Sequence, residues 1–345
     1  MWIAVNHTPF AVERAFVRDR KGGEVWLLAV RATFEVRPDG TLKRAQEQLP
    51  VARAASYLGE PGRSSLKYDS DLILTKGCVD LLVHGHAYAP GGRPVEMVDV
   101  GVRCGKWAKS LRVHGERVWR HATSGVGLVA SRAKPFEKMP ITYERAWGGI
   151  EPGAKADEPG SGAVSNPVGS GFARKPQLLL ERLVPNIEDP RTPIVPGPGP
   201  QAPAGFGPLA PHWSPRIGFA GTYDDKWKQS RAPLLPEDFD ERFFRAAPPD
   251  QQLPRFASDG QVIEFANLTA SGRLRIVLPR IQISAETIFG NGQADHEVVL
   301  HTVVFEPDHP RVQMVWHSAL PCQGREHLLE RSIISWEGDL ACLAP

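Results

Sequence analysis

The sequence predicts a mainly β protein: antiparallel sandwich-like or barrel-like lobes, a long irregular connector and few short helices. Three observations carry this. Segments of alternating or β-branched character recur toward both ends of the chain, and turn residues close them. Proline (32) and glycine (33) are abundant, proline at nearly twice its usual ~5%. Proline breaks helices and cannot donate to a ladder, so the regular elements must be short.

The first segment is Gly23–Val36, GEVWLLAVRATFEV, in which Val25, Leu27, Ala29, Arg31 and Thr33 alternate with Trp26, Leu28, Val30, Ala32 and Phe34. Pro38-Asp39-Gly40 closes it with residues that accept turn geometry. Cys78–Tyr88 is a second strand, ended by Pro90-Gly91-Gly92, and Pro94–Val102 and Lys109–Trp119 give two more. Closely spaced strands with intervening turns are the signature of a sandwich or barrel.

From 148 to 211 the composition shifts, and IVPGPGPQAPAGFGP has no apolar periodicity. This reads as an extended connector, held to the surface by Phe172, Phe206 and Trp213, that divides the chain into β-rich lobes at about 1–147 and 212–345. The last third returns to strands: Gln261–Leu268 and Leu274–Ile283 around Ser271-Gly272, a hairpin of Val298–Phe305 and Arg311–Ser318 around EPDHP, and Leu328–Trp336. Only Pro236–Ala247 reads as helical, with proline and acidic residues at its start and arginines toward its end.

The 41 basic and 39 acidic residues leave +2, so no long-range field draws the chain to nucleic acid or anionic lipid. No segment approaches the ~20 apolar residues of a membrane span, and the N-terminus has no export signal. Cys78, Cys104, Cys322 and Cys342 are scattered, which argues for reduced thiols in the cytoplasm rather than disulfides or a thiolate zinc site.

Candidate chemistry is sparse. His84 and His86 share a strand face but lack a third ligand. His296, Glu297 and His301 resemble a zinc-protease motif with the wrong spacing. The acidic pairs Asp69/Asp71 and Asp224/Asp225 and the group Glu237, Asp238 and Asp240 could serve glycoside hydrolysis, or simply cap turns and helices. Neither a GxSxG elbow nor a GxxxxGK[ST] loop occurs, so no catalytic residue, cofactor or metal is assigned. Trp213, Tyr223 and Trp227, with Arg216 nearby, have the composition of an interface hot spot. They suit equally well a satellite core beneath a long loop. The candidate partner-binding set is Trp213, Arg216, Tyr223, Asp224, Asp225, Trp227, Asp238, Phe239 and Asp240.

That region, WSPRIGFAGTYDDKWKQSRAPLLPEDFDERFFRAAPPDQQ (Trp213–Gln252), strongly resembles the family called domain of unknown function 2169. So do NHTPF at Asn6–Phe10, RATF at Arg31–Phe34, GEPGRSSLKYDSDL at Gly59–Leu72, and GHAYAPGGRPV at Gly85–Val95. HGERVW (His114–Trp119), PFEKMPITYERAWGG (Pro135–Gly149), PNIEDP (Pro185–Pro190) and AGFGP (Ala204–Pro208) complete an ordered series reaching beyond Ser284. The resemblance implies a bacterial cytoplasmic adaptor that joins a type VI secretion effector toxin to the spike protein, VgrG. It implies no catalytic residue. The rival expectations are a carbohydrate-active β enzyme using carboxylates near Asp224 and Asp238, and a structural component of the secretion apparatus.

Overall fold

The computed structural model describes residues 3–338, apart from 156–157, 198–200, 255 and 257–258. Cys342 and the end of the second expected lobe lie outside the described residues. Among the described residues the fold is mainly β, arranged in several sheets with one short α-helix and no closed barrel. Among the described residues no helix is long and apolar enough to cross a membrane.

The largest sheet is organised by the alternating segment near the N-terminus. Its principal strands are β1 (Ala11–Arg18), β2 (Glu24–Val36), β3 (Val79–Val83), β4 (Val299–Glu306) and β5 (Arg311–Pro321). From Val25 to Phe34 every residue of β2 is buried, so both of its faces are covered. A strand buried on both faces belongs inside a sheet, and β2 pairs antiparallel with β1 on one side and β5 on the other. The expected hairpin forms between β4 and β5, and β3 lies parallel to β4.

Two further sheets complete the frame. Ile3–Asn6, Leu329–Gly338, Ile281–Phe289 and Gly292–Asp295 form a four-stranded sheet. It packs on the Trp26 face of β2, where Trp26 Nε1 donates to Ser332 Oγ at 2.8 Å and Phe10 meets both Phe34 and Trp336 edge-on. Ile187–Glu188, Trp107–His114, Met97–Cys104, Val262–Ala266 and Arg273–Val277 form an antiparallel five-stranded sheet. It reaches the large sheet through Phe265 against Phe305 and through a bond from Val277 N to Gly40 O. Gly40 has φ +85°, and a Cβ there would stand 2.0 Å from the Arg275 carbonyl oxygen, so this close crossing requires glycine.

Three expectations need correction. The lobes at 1–147 and 212–345 are not separate in space: strands from both ends share all three sheets, and one apolar core runs from Phe10 to Ile334. The stretch 148–211 is no surface connector throughout. Ala204, Phe206, Leu209 and Ala210 enter that core, because Gln251 Nε2 holds both the Phe206 and Leu81 carbonyls. Pro236–Ala247 is not a helix but a single 3-10 turn at Glu241–Phe244. Beyond it the chain must run extended, since the Ala246 carbonyl accepts from Leu209 N and Ala246 N reaches the buried Asp80 carboxylate. The α-helix lies earlier, as α1 (Asp225–Ser230).

Candidate functional site

The structure divides the nine candidate residues into an inner and an outer group. Trp213 is fully buried, with its ring edge-on to Tyr143 and its Nε1 donating to His212 Nε2. Phe239 is buried against Phe243 and Phe244. Arg216, only 3% exposed, spends its guanidinium inside the chain: Nη2 on Asp69 at 2.6 Å, Nη1 on the Leu209 carbonyl and Nε on the Phe243 carbonyl. The place of Arg216 in the candidate partner-binding set is therefore corrected to an internal ion pair. These three residues match the core alternative, although Phe239 also lines a neighbouring groove.

The outer group sits on and around α1. Asp224 caps the helix by accepting from Trp227 N, which a short polar side chain at that position does well. Tyr223 is 50% exposed and stacks edge-to-face on Trp227, whose Nε1 is held by the Leu234 carbonyl. Asp225 is exposed and pairs with Lys228. Asp238 accepts from both the N and Oγ1 of Thr222, and these bonds hold its carboxyl below the usual range. Asp240 caps the 3-10 turn and pairs with Arg242, which drops its pKa to about 2. Arg20 and Arg231 tie the segment to the large sheet: Arg20 Nη1 donates to the Phe239 carbonyl and Arg231 Nη2 to the Arg20 carbonyl.

Beside this segment lies a groove with two adjoining compartments, bordered by Val25 and Ala319 of the large sheet. The outer one, about 620 Å³, has Val25, Leu74, Phe239, Phe244 and Ala319 inside and Arg20, Lys21, Arg231, Glu237 and Glu241 among its lining charges. The inner one, about 670 Å³, shares Leu74, Thr75 and Ala319 with it and continues past Phe256 and Val299 to His301 and His317.

The inner compartment has a polar floor, of which only His301, within the misspaced zinc-protease motif, was singled out from the sequence. Lys76 Nζ lies 2.8 Å from Asp80 Oδ2 and 2.9 Å from Thr302 Oγ1, all three buried. His301 Nδ1 shares a hydrogen bond with Thr302 Oγ1, and the His301 and His317 rings sit 4.8 Å apart. Burial pushes the His317 pKa down to about 4 and that of His301 well below the ordinary imidazole value. The available signal was a pair of histidines and a threonine set inside otherwise apolar strands.

The remaining candidates resolve into structural roles. His84 is buried edge-on to Tyr68, whereas His86 faces Asp308 at 2.6 Å, so the two imidazoles do not converge. His296 bridges Thr287 and Ser318. Among the described residues no three His, Cys, Asp or Glu side chains are placed to hold a metal ion. Asp69 and Asp71 each serve a different buried arginine, Arg216 and Arg31.

The chain belongs to the family described as an uncharacterized protein conserved in bacteria (DUF2169), whose model matches residues 21–317. That span includes α1 and most residues that line the two compartments, while Arg20 and Ala319 fall just outside it. No curated protein and no solved structure matches the chain.

Proposed function

We propose that this protein is a non-catalytic cytoplasmic adaptor that binds a type VI secretion effector and helps load it onto the spike protein, VgrG. The observation that carries the reading is the two-compartment groove beside the exposed Tyr223 and its half-buried neighbour Trp227. Apolar area with a charged rim and aromatic anchors is the material of protein interfaces. Such an adaptor works by complementarity: the groove removes apolar surface of the effector from water, and rim charges such as Arg20, Lys21, Glu237 and Glu241 set register. The ordered motifs shared with the family supply the secretion context.

The enzyme reading is weakened by what its carboxylates do. Asp224 is engaged as a helix cap and Asp238 as an acceptor for Thr222. A general acid needs a raised pKa, and that of Asp238 is lowered. The hollow between them is about 190 Å³, smaller than the ~300 Å³ at which ligand pockets begin.

The test is co-expression with the toxin and the spike whose genes the family resemblance leads us to expect beside this one. A stoichiometric complex with the toxin, competent to join the spike, is the expected result. Failure of the toxin to co-purify overturns the adaptor reading. Polysaccharide hydrolysis abolished by Asp238→Asn would install the enzyme in its place. Retention in purified secretion particles after firing would indicate a structural component.

A further inference from the structure

We propose that the inner compartment is a strand-addition site: an extended segment of a partner protein pairs with β4 at Val299–Leu300 and sets a hydroxyl-bearing side chain against His317. The proposal rests on the adaptor reading only for the identity of the partner.

The opening follows from the register. β3 and β4 run parallel from Thr302↔Asp80 to Phe305↔Val83. Carried backward, that register would set Gly77 and Cys78 opposite Val299 and Leu300. Gly77 instead takes φ +67°, and β3 begins only at Val79. Among the described residues Val299 and Leu300 therefore have ladder partners on the β5 side alone, His317 and Trp316. On the other side lies the compartment, with Gly77 and Cys78 as its far wall. Backbone groups along an unpaired strand edge are a template for another strand, whose alternate side chains then enter pockets. That edge is why the occupant is an extended chain rather than a compact small molecule.

The polar floor sets the chemistry of the inserted side chain. A bulge in β4 between Leu300 and Thr302 leaves His301 without a ladder partner, and its imidazole binds the adjacent Thr302 hydroxyl. Bulges commonly re-aim a side chain next to a site. Among the described residues His317 Nδ1 is buried with no hydrogen-bond partner, whereas the His301 ring also has the Asp71 backbone beside it. Both rings line the compartment. A neutral imidazole offers one donor and one acceptor, and a hydroxyl can satisfy either. The apolar mouth at Phe256 and Val299 suits a segment that alternates apolar residues with serine or threonine.

The experiment uses a fluorescently labelled synthetic peptide of alternating valine and threonine, with lysines at both ends for solubility, and the full chain. Val299 is 40% exposed at the rim, so Val299→Arg blocks the edge without emptying the core. Saturable binding is expected, weakened by about tenfold or more in V299R at an unchanged melting temperature. Backbone amides around 297–301 should gain protection from hydrogen exchange when the peptide is bound. Absence of saturable binding, or equal binding by V299R, overturns the proposal. Wild-type self-association that V299R abolishes would assign the edge to a second copy and also overturn it. If the neighbouring toxin fails to co-purify while the peptide binds as described, the adaptor reading falls and the strand-addition site stands.

Discussion

Arg216 and Asp69 form a 2.6 Å ion pair between segments 147 residues apart in sequence, with the guanidinium almost wholly out of water. The pair fastens the turn after Trp213 to the loop that precedes β3, and two backbone carbonyls saturate the rest of the arginine. Removing one partner of such a pair leaves a buried charge without compensation. Arg216→Ala should therefore cost about 3–5 kcal/mol of stability, read from a urea midpoint. Arg216→Lys should recover little, because an ammonium cannot reproduce the fork that reaches three acceptors. A variant that folds normally but loses its partner would return Arg216 to the interface.

The aromatic residues of the same region should separate in the same way. Trp213→Ala empties a fully buried site and should cost ~3–5 kcal/mol of stability. Tyr223→Ala changes a half-exposed ring on α1 and should move stability by no more than ~0.5 kcal/mol. If the α1 surface is part of the interface, Tyr223→Ala should weaken effector pull-down by about 2 kcal/mol. Measuring melting and pull-down on both variants checks the division, and a Tyr223→Ala protein that binds normally removes α1 from the interface.

What the sequence disclosed, and what it hid, follows from range. Alternation from Val25 to Phe34 located β2, because pleat and burial act on neighbouring residues. The hairpin of β4 and β5 was legible for the same reason. The sharing of sheets between chain ends was not, since the pairing of Thr302 with Asp80 leaves no local trace. Acidic residues before arginines suggested a helix at Pro236–Ala247, yet Asp238 and Asp240 are consumed by Thr222 and Arg242. The fixed contacts of Ala246 then override local propensity. The candidate site was half legible: composition marked the segment, but only burial distinguishes Trp213 from Tyr223.

Acid should destabilise the fold between pH 6.5 and about 4. Burial lowers the pKa of His84, His296 and His317 from an ordinary 6.5 to about 4, and holds that of His301 well below its ordinary value. Above pH 6.5 these groups are neutral folded or unfolded and contribute no pH dependence. Below it the unfolded chain takes up protons that the folded chain refuses, so stability falls until the folded histidines themselves titrate. A single histidine shifted that far is worth at most about 3 kcal/mol across the window. Urea midpoints measured from pH 7.5 to 4 should fall steadily, and His296→Gln should flatten the slope. A midpoint independent of pH over that range would contradict the burial of these imidazoles.

The Lys76–Asp80 pair permits a sharper test, because both charges are out of water and each has a further duty. Asp80 Oδ2 accepts from Lys76 Nζ and from Ala246 N, while Lys76 also holds Thr302. Lys76→Met leaves the carboxylate buried opposite a thioether and should cost ~3–5 kcal/mol. Asp80→Leu leaves the ammonium unpaired and orphans the Ala246 N–H, so it should cost at least as much. The double variant removes both charges together, and replacing a buried pair by apolar groups is often close to neutral. Here full recovery is blocked by the unsatisfied Ala246 N–H, which alone costs about 1–3 kcal/mol. The double variant should thus be more stable than Asp80→Leu yet less stable than wild type by about that amount. Simple additivity of the two single losses would mean that the charges do not interact, and the floor of the inner compartment would have to be drawn differently.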